Sequence, residues 1–163
     1  MTDVDPEMFR AAMARLPGGV AVLTTRWRDA DHAGTVSAVL SVSLEPPIVV
    51  VSLHADSRLR DAMDQVDTWG LSILADDQAP VADWLASPGR PVIGQLGRVP
   101  HHRGPESGAA WIDGAAAWVD CRTRQIVPAG DHDLVLGDVL AVREGRAEAG
   151  GLVHLRRRTR PVR

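Results

Sequence analysis

The stretch GTVSAVLSVSLEPP, residues 34–47, narrows most sharply what this chain can fold into. Val36, Ala38, Leu40, Val42 and Leu44 share one parity, while Thr35, Ser37, Ser41 and Ser43 hold the other, interrupted only by Val39. A period of two is that of a β-strand, whose successive side chains point to opposite faces, so one face is apolar and the other carries small hydroxyls. After the break at Pro46 and Pro47, the run IVVVSLH is apolar on both parities, as a strand covered on both faces must be. The middle of the chain is therefore committed to sheet.

The flanking segments continue the pattern. VAVLTTRW is rich in β-branched residues and reads as a strand, with RDADHAG as a polar turn before the hydroxyl-bearing segment. TWGLSILA, AAAWVDCRTRQIV, HDLVLGDVLAV and GLVHLRR supply further strands, and Gly137 within one of them marks a bulge or the close approach of a ligand. Three short helices complete the pattern. DPEMFRAAMARLPGG has Asp5 as N-cap, Pro6 at the first helical position, and Phe9, Met13 and Leu16 on one stripe. SRLRDAMDQV repeats Leu59, Ala62, Met63 and Val66 at helical spacing behind an N-cap Ser57, and DDQAPVADWLA forms a capped helix with Val81, Trp84 and Leu85 inward. Residues 87–108 form a long Gly- and Pro-rich segment, of the kind that covers a site or moves. With so few helices among strands adjacent in sequence, the expected class is mainly β: an antiparallel barrel with peripheral helices.

Composition limits the function classes. The 163 residues suffice for one domain with its own core, and neither an internal repeat nor a linker divides residues 1–163. With 21 acidic against 18 basic residues the net charge is -3, which argues against a nucleic-acid binder. The arginine-rich end, residues 156–163, reads as a solvated tail, with a phosphate or diphosphate clamp and nucleic-acid binding as the alternatives. A single cysteine, Cys121, permits no intrachain disulfide, and no charged-then-apolar leader or long apolar run is present, so a reducing cytoplasm is the expected home without a membrane. The chain has no tyrosine, so no phenol can take part in chemistry.

Neither G-x-G-x-x-G after the first strand nor G-x-x-x-x-G-K-[ST] occurs, which removes a Rossmann site and a P-loop. His101 and His102 are adjacent, poor spacing for two ligands of one metal. The hydroxyl row remains: a solvated face, or a polar small-molecule site where hydroxyls and strand-edge amides meet a flat heterocycle.

The segments GTVSAVLSVSLEPPIVVVSL, SRLRDA, WGLSILADDQ and PAGDHDLVLGDVLAV, in that order, resemble the flavin reductase-like, FMN-binding split-barrel family. The resemblance implies a six-stranded antiparallel split β-barrel of Greek-key type with a few short peripheral helices, a homodimer, and FMN, with FAD as an alternative, held near the subunit interface. It implies NAD(P)H:flavin oxidoreductase activity that supplies reduced flavin to a monooxygenase. The family's T-x-S-x-x-x-S-V-S segment touches flavin, and Thr35, Val36, Ser37, Ser41, Val42 and Ser43 occupy it here. Ser57 and Arg58 would take the phosphate, where an N-cap with free helix amides is by itself an anion site, and Arg60 would add charge. Ser72 stands at a further flavin-contact position. His132, flanked by Asp131 and Asp133, matches a histidine near the nicotinamide and flavin rings and would act in catalysis, its neighbours favouring the cation.

Relatives commonly carry hydroxyls where this chain has Ala38 and Leu40, a threonine where it has Leu59, and an asparagine where it has Ser72. Each lost hydrogen bond in a site costs ~0.5 to 1.5 kcal/mol. Those departures favour the alternative function, a non-catalytic flavin or deazaflavin carrier of the same fold. His154 and Leu155 replace aromatics near the end.

Overall fold

The computed structural model describes residues 4–163, so the first three residues of the expected 1–163 domain lie outside the described residues. Seven strands form one antiparallel sheet, in spatial order β3 (Ala30–Val36), β2 (Ala21–Trp27), β6 (Thr68–Ile73), β9 (Ala117–Ala129), β10 (His132–Glu144), β5 (Pro47–His54) and β4 (Val39–Leu44). A smaller sheet orders β1 (Gly18–Gly19), β11 (Gly151–Leu155) and β12 (Arg158–Val162), and β7 (His101–Arg103) pairs with β8 (Ala110–Ile112). The helices are α1 (Pro6–Met13), α2 (Arg58–Gln65) and α3 (Ala79–Ala86).

The main sheet curls around one core. Leu23 of β2, Val36 of β3, Val51 and Leu53 of β5, Trp69 and Leu71 of β6, Cys121 of β9 and Val135 of β10 are buried together, with Val39 of β4 packed against them. Burying side chains of this size contributes ~1.5 to 3 kcal/mol each. In this apolar setting the Cys121 thiol is pushed up to about 12 by burial, then by Asp120 and Asp138, so it is core and not nucleophile. The two edge strands, β3 and β4, are consecutive in the chain but not paired with each other, which leaves the barrel split between them. A second core lies outside the sheet, where Val20 and Val22 meet Ala82 and Leu85 of α3, Leu96 and Val99 of the long segment, and Leu152 of β11.

Several expectations are corrected. The segment expected as one hydroxyl strand is two strands, so the main sheet has seven strands where six were expected. The polar turn contracts to Arg28 and Asp29, both at positive φ, because a two-residue hairpin already matches the twist of β2 and β3. Residues 156–163 are no loose tail: Arg156 and Arg157 make a hairpin turn and β12 pairs with β11 through register partners from Gly151 with Val162 to Leu155 with Arg158. Residues 87–108 are tied down, with Leu96 and Val99 buried and the Gln95 side-chain carbonyl accepting from Ala33 N at 3.0 Å.

Caps explain the helices. Asp5 accepts from Glu7 N at 2.9 Å and Ser57 from Arg60 N at 3.2 Å, as the sequence leads one to expect. For α3 the residue before the helix is Gln78, which makes no side-chain cap; instead it accepts from Ala75 N and donates to Asp113 O. Leu85 is buried but Trp84 is 41 % exposed, held by its indole N–H donating to Gln95 O.

Candidate functional site

Ser37 and Ala38 link the two edge strands and so lie at the split itself. Here β1 comes so close that a Cβ on Gly18 would stand 2.9 Å from the Ser37 carbonyl, which only glycine at that place allows. Two cavities meet at this seam and share Ser37 and His154. One, of about 660 Å³, is lined by Met13, Leu16, Ala38, Leu40, Ser52 and Leu134. The other, of about 540 Å³, lies under the β11–β12 hairpin and α3 and is lined by Thr35, Asp83, Arg157, Arg158 and Thr159. Small side chains at Ser37 and Ala38 keep the seam open to a flat group. The free edge of β3 adds main-chain groups. Ala33 N and O bond the Gln95 and Arg90 side chains and not β2, so Thr35, of the same parity, turns its N–H and C=O to that edge.

Farther along β3, Ala33 enters a third cavity, of about 290 Å³, with His32, Ser57, Arg58, Gly89, Arg90 and Gln95. Two features make it fit an anion. Ser57 caps α2, so the first helix amides and the positive end of the helix dipole are directed there. Among the described residues Arg90 has no carboxylate partner: it donates to the Ser87 and Ala33 carbonyls at 2.9 Å each, and its buried Nε has no hydrogen-bond partner there. Burial holds its guanidinium below the usual arginine range, and a phosphate in the cavity would supply the counter-charge it lacks. Arg60, expected beside Arg58, is spent elsewhere: it is buried and bonds Asp133 at 2.8 Å and Asp64 at 2.6 Å.

The expected site residues do not converge on one surface. Thr35, Ser37, Ser57 and Arg58 line the cavities, with the Thr35 hydroxyl donating to Ala82 O at 2.6 Å. Val36 turns into the barrel core, and Ser72 is fully buried with its hydroxyl accepting from Ile112 N at 2.9 Å, so neither side chain is left for a ligand. Ser41, Val42 and Ser43 lie on the edge strand, where a bulge falls between the two serines. His132 is exposed at the start of β10; its Nδ1 meets Asp131 at 2.8 Å, its ring lies edge-on to His54 at 5.3 Å, and Asp133 points instead to Arg60. Leu134, two residues along the same face at about 7 Å, lines the seam cavity. Of the departures, Leu59 is accounted for by burial in the barrel core, while Ala38 and Leu40 widen and grease the seam cavity. Arg90 and His154 are the residues that sequence reasoning missed. The signal for Arg90 was its place in the long segment, which borders the cavity; His154 was visible only as a substitution for an aromatic.

Comparison with known proteins agrees with this architecture. A match to the family described as "Flavin reductase like domain" spans residues 13–163. An NADH-dependent FMN reductase of Streptomyces nodosus subsp. asukaensis is 36% identical over 157 residues, covering 91% of this chain and 80% of the relative. The reductase component of a 4-hydroxyphenylacetate 3-monooxygenase of Thermus thermophilus is 32% identical over 154 residues, covering 93% of each. Among solved structures, the flavin reductase component of a bacterial two-component tryptophan halogenase superposes with a TM-score of 0.90 at 31% identity, covering 97% of this chain and 98% of that one. The chain belongs to the flavin reductase-like domain family, in which relatives are named NADH-dependent FMN reductase, NADH:riboflavin 5'-phosphate oxidoreductase and NADPH-flavin oxidoreductase.

Proposed function

We propose that residues 1–163 act as one domain that binds FMN along β3, with its phosphate in the α2 cavity and its ring at the seam, and that transfers electrons to it from NAD(P)H. The observation that carries this is Arg90, which lines the same cavity as the Ser57 cap and Arg58 and bonds only main-chain carbonyls, with no carboxylate partner among the described residues. When bound, the flavin supplies the hydride acceptor that no side chain offers, which leaves the protein to bind and orient. Ser57, Arg58 and Arg90 hold the phosphate. Thr35 and Ser37, through the free edge of β3, orient the polar edge of the ring, and Ala38, Leu40 and Leu134 keep water from its apolar side. Ser41, Val42 and Ser43 lie beyond the seam on β4, where they close the far side of the ring. His132, its Nδ1 held by Asp131, orders the nicotinamide or exchanges a proton with the flavin ring.

A second copy of the chain completes the assembly. Leu40, Val42 and Leu44 of β4 are 63 %, 49 % and 82 % exposed, and Phe9 and Leu16 beside α1 are 60 % and 65 % exposed, an apolar surface that a homodimer would cover. Reduced flavin then passes to a flavin-dependent monooxygenase; the Thermus relative is named as the reductase component of such an enzyme, and the other as that of a two-component tryptophan halogenase. A reducing cytoplasm suits the single buried thiol, and among the described residues no helix is long and apolar enough to cross a membrane.

The test is Arg90→Met. FMN affinity, read by quenching of flavin fluorescence on binding, falls about tenfold or more, since a charge-assisted hydrogen bond contributes about 1.5 to 3 kcal/mol. Unaltered affinity, with circular dichroism unaltered as well, would place the phosphate elsewhere.

A further inference from the structure

The flavin assignment uses the cavity under the β11–β12 hairpin only at Thr35 and Ser37, on its β3 side, and the rest of its lining is unlike that of a plain surface recess. Arg157 and Arg158 face it together with the hydroxyl-bearing Thr35, Ser37 and Thr159, and Asp83 is its single carboxylate. Neither arginine takes part in any ion pair among the described residues, so two cations stand without counter-charge beside a cavity of about 540 Å³, within the size range of nucleotide-sized ligand pockets.

The turn itself points the same way. Arg156 and Arg157 have φ of 51° and 62°, a region that glycine and asparagine enter freely and other residues do not. A hairpin selected for stability alone would carry Asn-Gly here. Two arginines at those positions cost the fold and gain it nothing inside the chain, where Arg156 contributes only a main-chain N–H, to Ala14 O at 2.7 Å.

We propose that this hairpin cavity binds the phosphate-bearing end of the nicotinamide dinucleotide, with Arg157 and Arg158 on the phosphates and Asp83 accepting from a ribose hydroxyl. The inference rests on the flavin reductase reading, which already provides an anion cavity, with Arg58 and Arg90, for the flavin. Two nucleotides meet in the reaction, and two separate cationic cavities flank one seam. Because the hairpin and seam cavities share Ser37 and His154, a dinucleotide anchored at its phosphates reaches the ring site without crossing the barrel. A lining of two guanidinium groups, one carboxylate and three hydroxyls fits a sugar phosphate better than a bare anion, which the carboxylate would repel.

The experiment titrates ADP-ribose, and separately FMN, into the full chain by calorimetry, for the wild type, Arg157→Gly, Arg158→Gln and the double variant. The expected result is that ADP-ribose affinity falls about tenfold for each arginine removed while FMN affinity stays within about twofold, and that the KM for NAD(P)H rises with kcat retained. Arg157→Gly relaxes the turn, so its melting temperature should equal or exceed that of the wild type; loss of ligand together with gain of stability is a pattern that a merely structural arginine cannot produce. Unchanged ADP-ribose affinity in the double variant, absence of ADP-ribose binding to the wild type, or a fall in FMN affinity in its place would each overturn the proposal. A wild-type chain that binds ADP-ribose but no FMN would instead sink the flavin reading and leave this cavity standing.

Discussion

Val39 is the apolar residue that breaks the hydroxyl parity in the 34–47 segment, and its place in the fold explains why. Before the seam the even residue Val36 points into the barrel; after it the odd residue Val39 does. The two residues between, Ser37 and Ala38, are outside any strand, so the face that looks inward changes at the seam. A row that is continuous in sequence is thereby divided: Thr35 and Ser37 stay with the outer cavities, and Leu40, Val42 and Leu44, which a simple alternation would bury, are turned outward. Gly137, read as a bulge or as the close approach of a ligand, sits at a bulge, and what comes close to it is the protein's own core. A register shift falls between Leu136 and Gly137, and a Cβ there would overlap the Trp69 ring and stand 3.1 Å from Cys121 Cβ. Gly137→Ala therefore destabilises the chain by about 1 to 3 kcal/mol, the usual cost of overpacking a rigid core, and urea unfolding would show it as a lowered midpoint.

At the scale of elements, helix starts were legible wherever a short polar side chain stands one residue before the helix. Asp5 and Ser57 cap what their positions promise, because the N-cap bond is local and needs nothing from the rest of the chain. The start of α3 was not legible, since Gln78 is held by distant Asp113 and not by a cap. Nor was the fate of Arg60. From sequence it is one more exposed arginine next to Arg58, yet α2 packs so that Arg60 is buried and ties the helix to β10 through Asp133. Arg60→Ala leaves Asp133, only 15% exposed, without its cation, and is expected to cost about 2 to 4 kcal/mol in a denaturation curve while Arg58→Ala costs little.

For the whole molecule, the apolar outer side of β4 is the feature that a single copy leaves unexplained. The proposed homodimer predicts that the unaltered chain sediments as a dimer and that Leu40→Glu with Leu44→Glu, which puts two carboxylates on that surface, sediments as a monomer; a dimer that survives both changes moves the interface elsewhere. The alternation of apolar and polar residues, the continuous apolar run of β5 and the sparse short helices determined by themselves that this is a mainly antiparallel β protein, because strand period and caps are properties of neighbours in the chain. The four ordered motifs determined its family. Only the tertiary structure decided that the sheet has seven strands split at Ser37 and Ala38, that Arg90 and His154 line cavities beside β3, and that the arginine-rich end folds back as a hairpin over a cavity. Those outcomes depend on which distant segments pack against β3, and no local pattern encodes the side of the chain from which α3, the 87–100 segment and β11–β12 arrive.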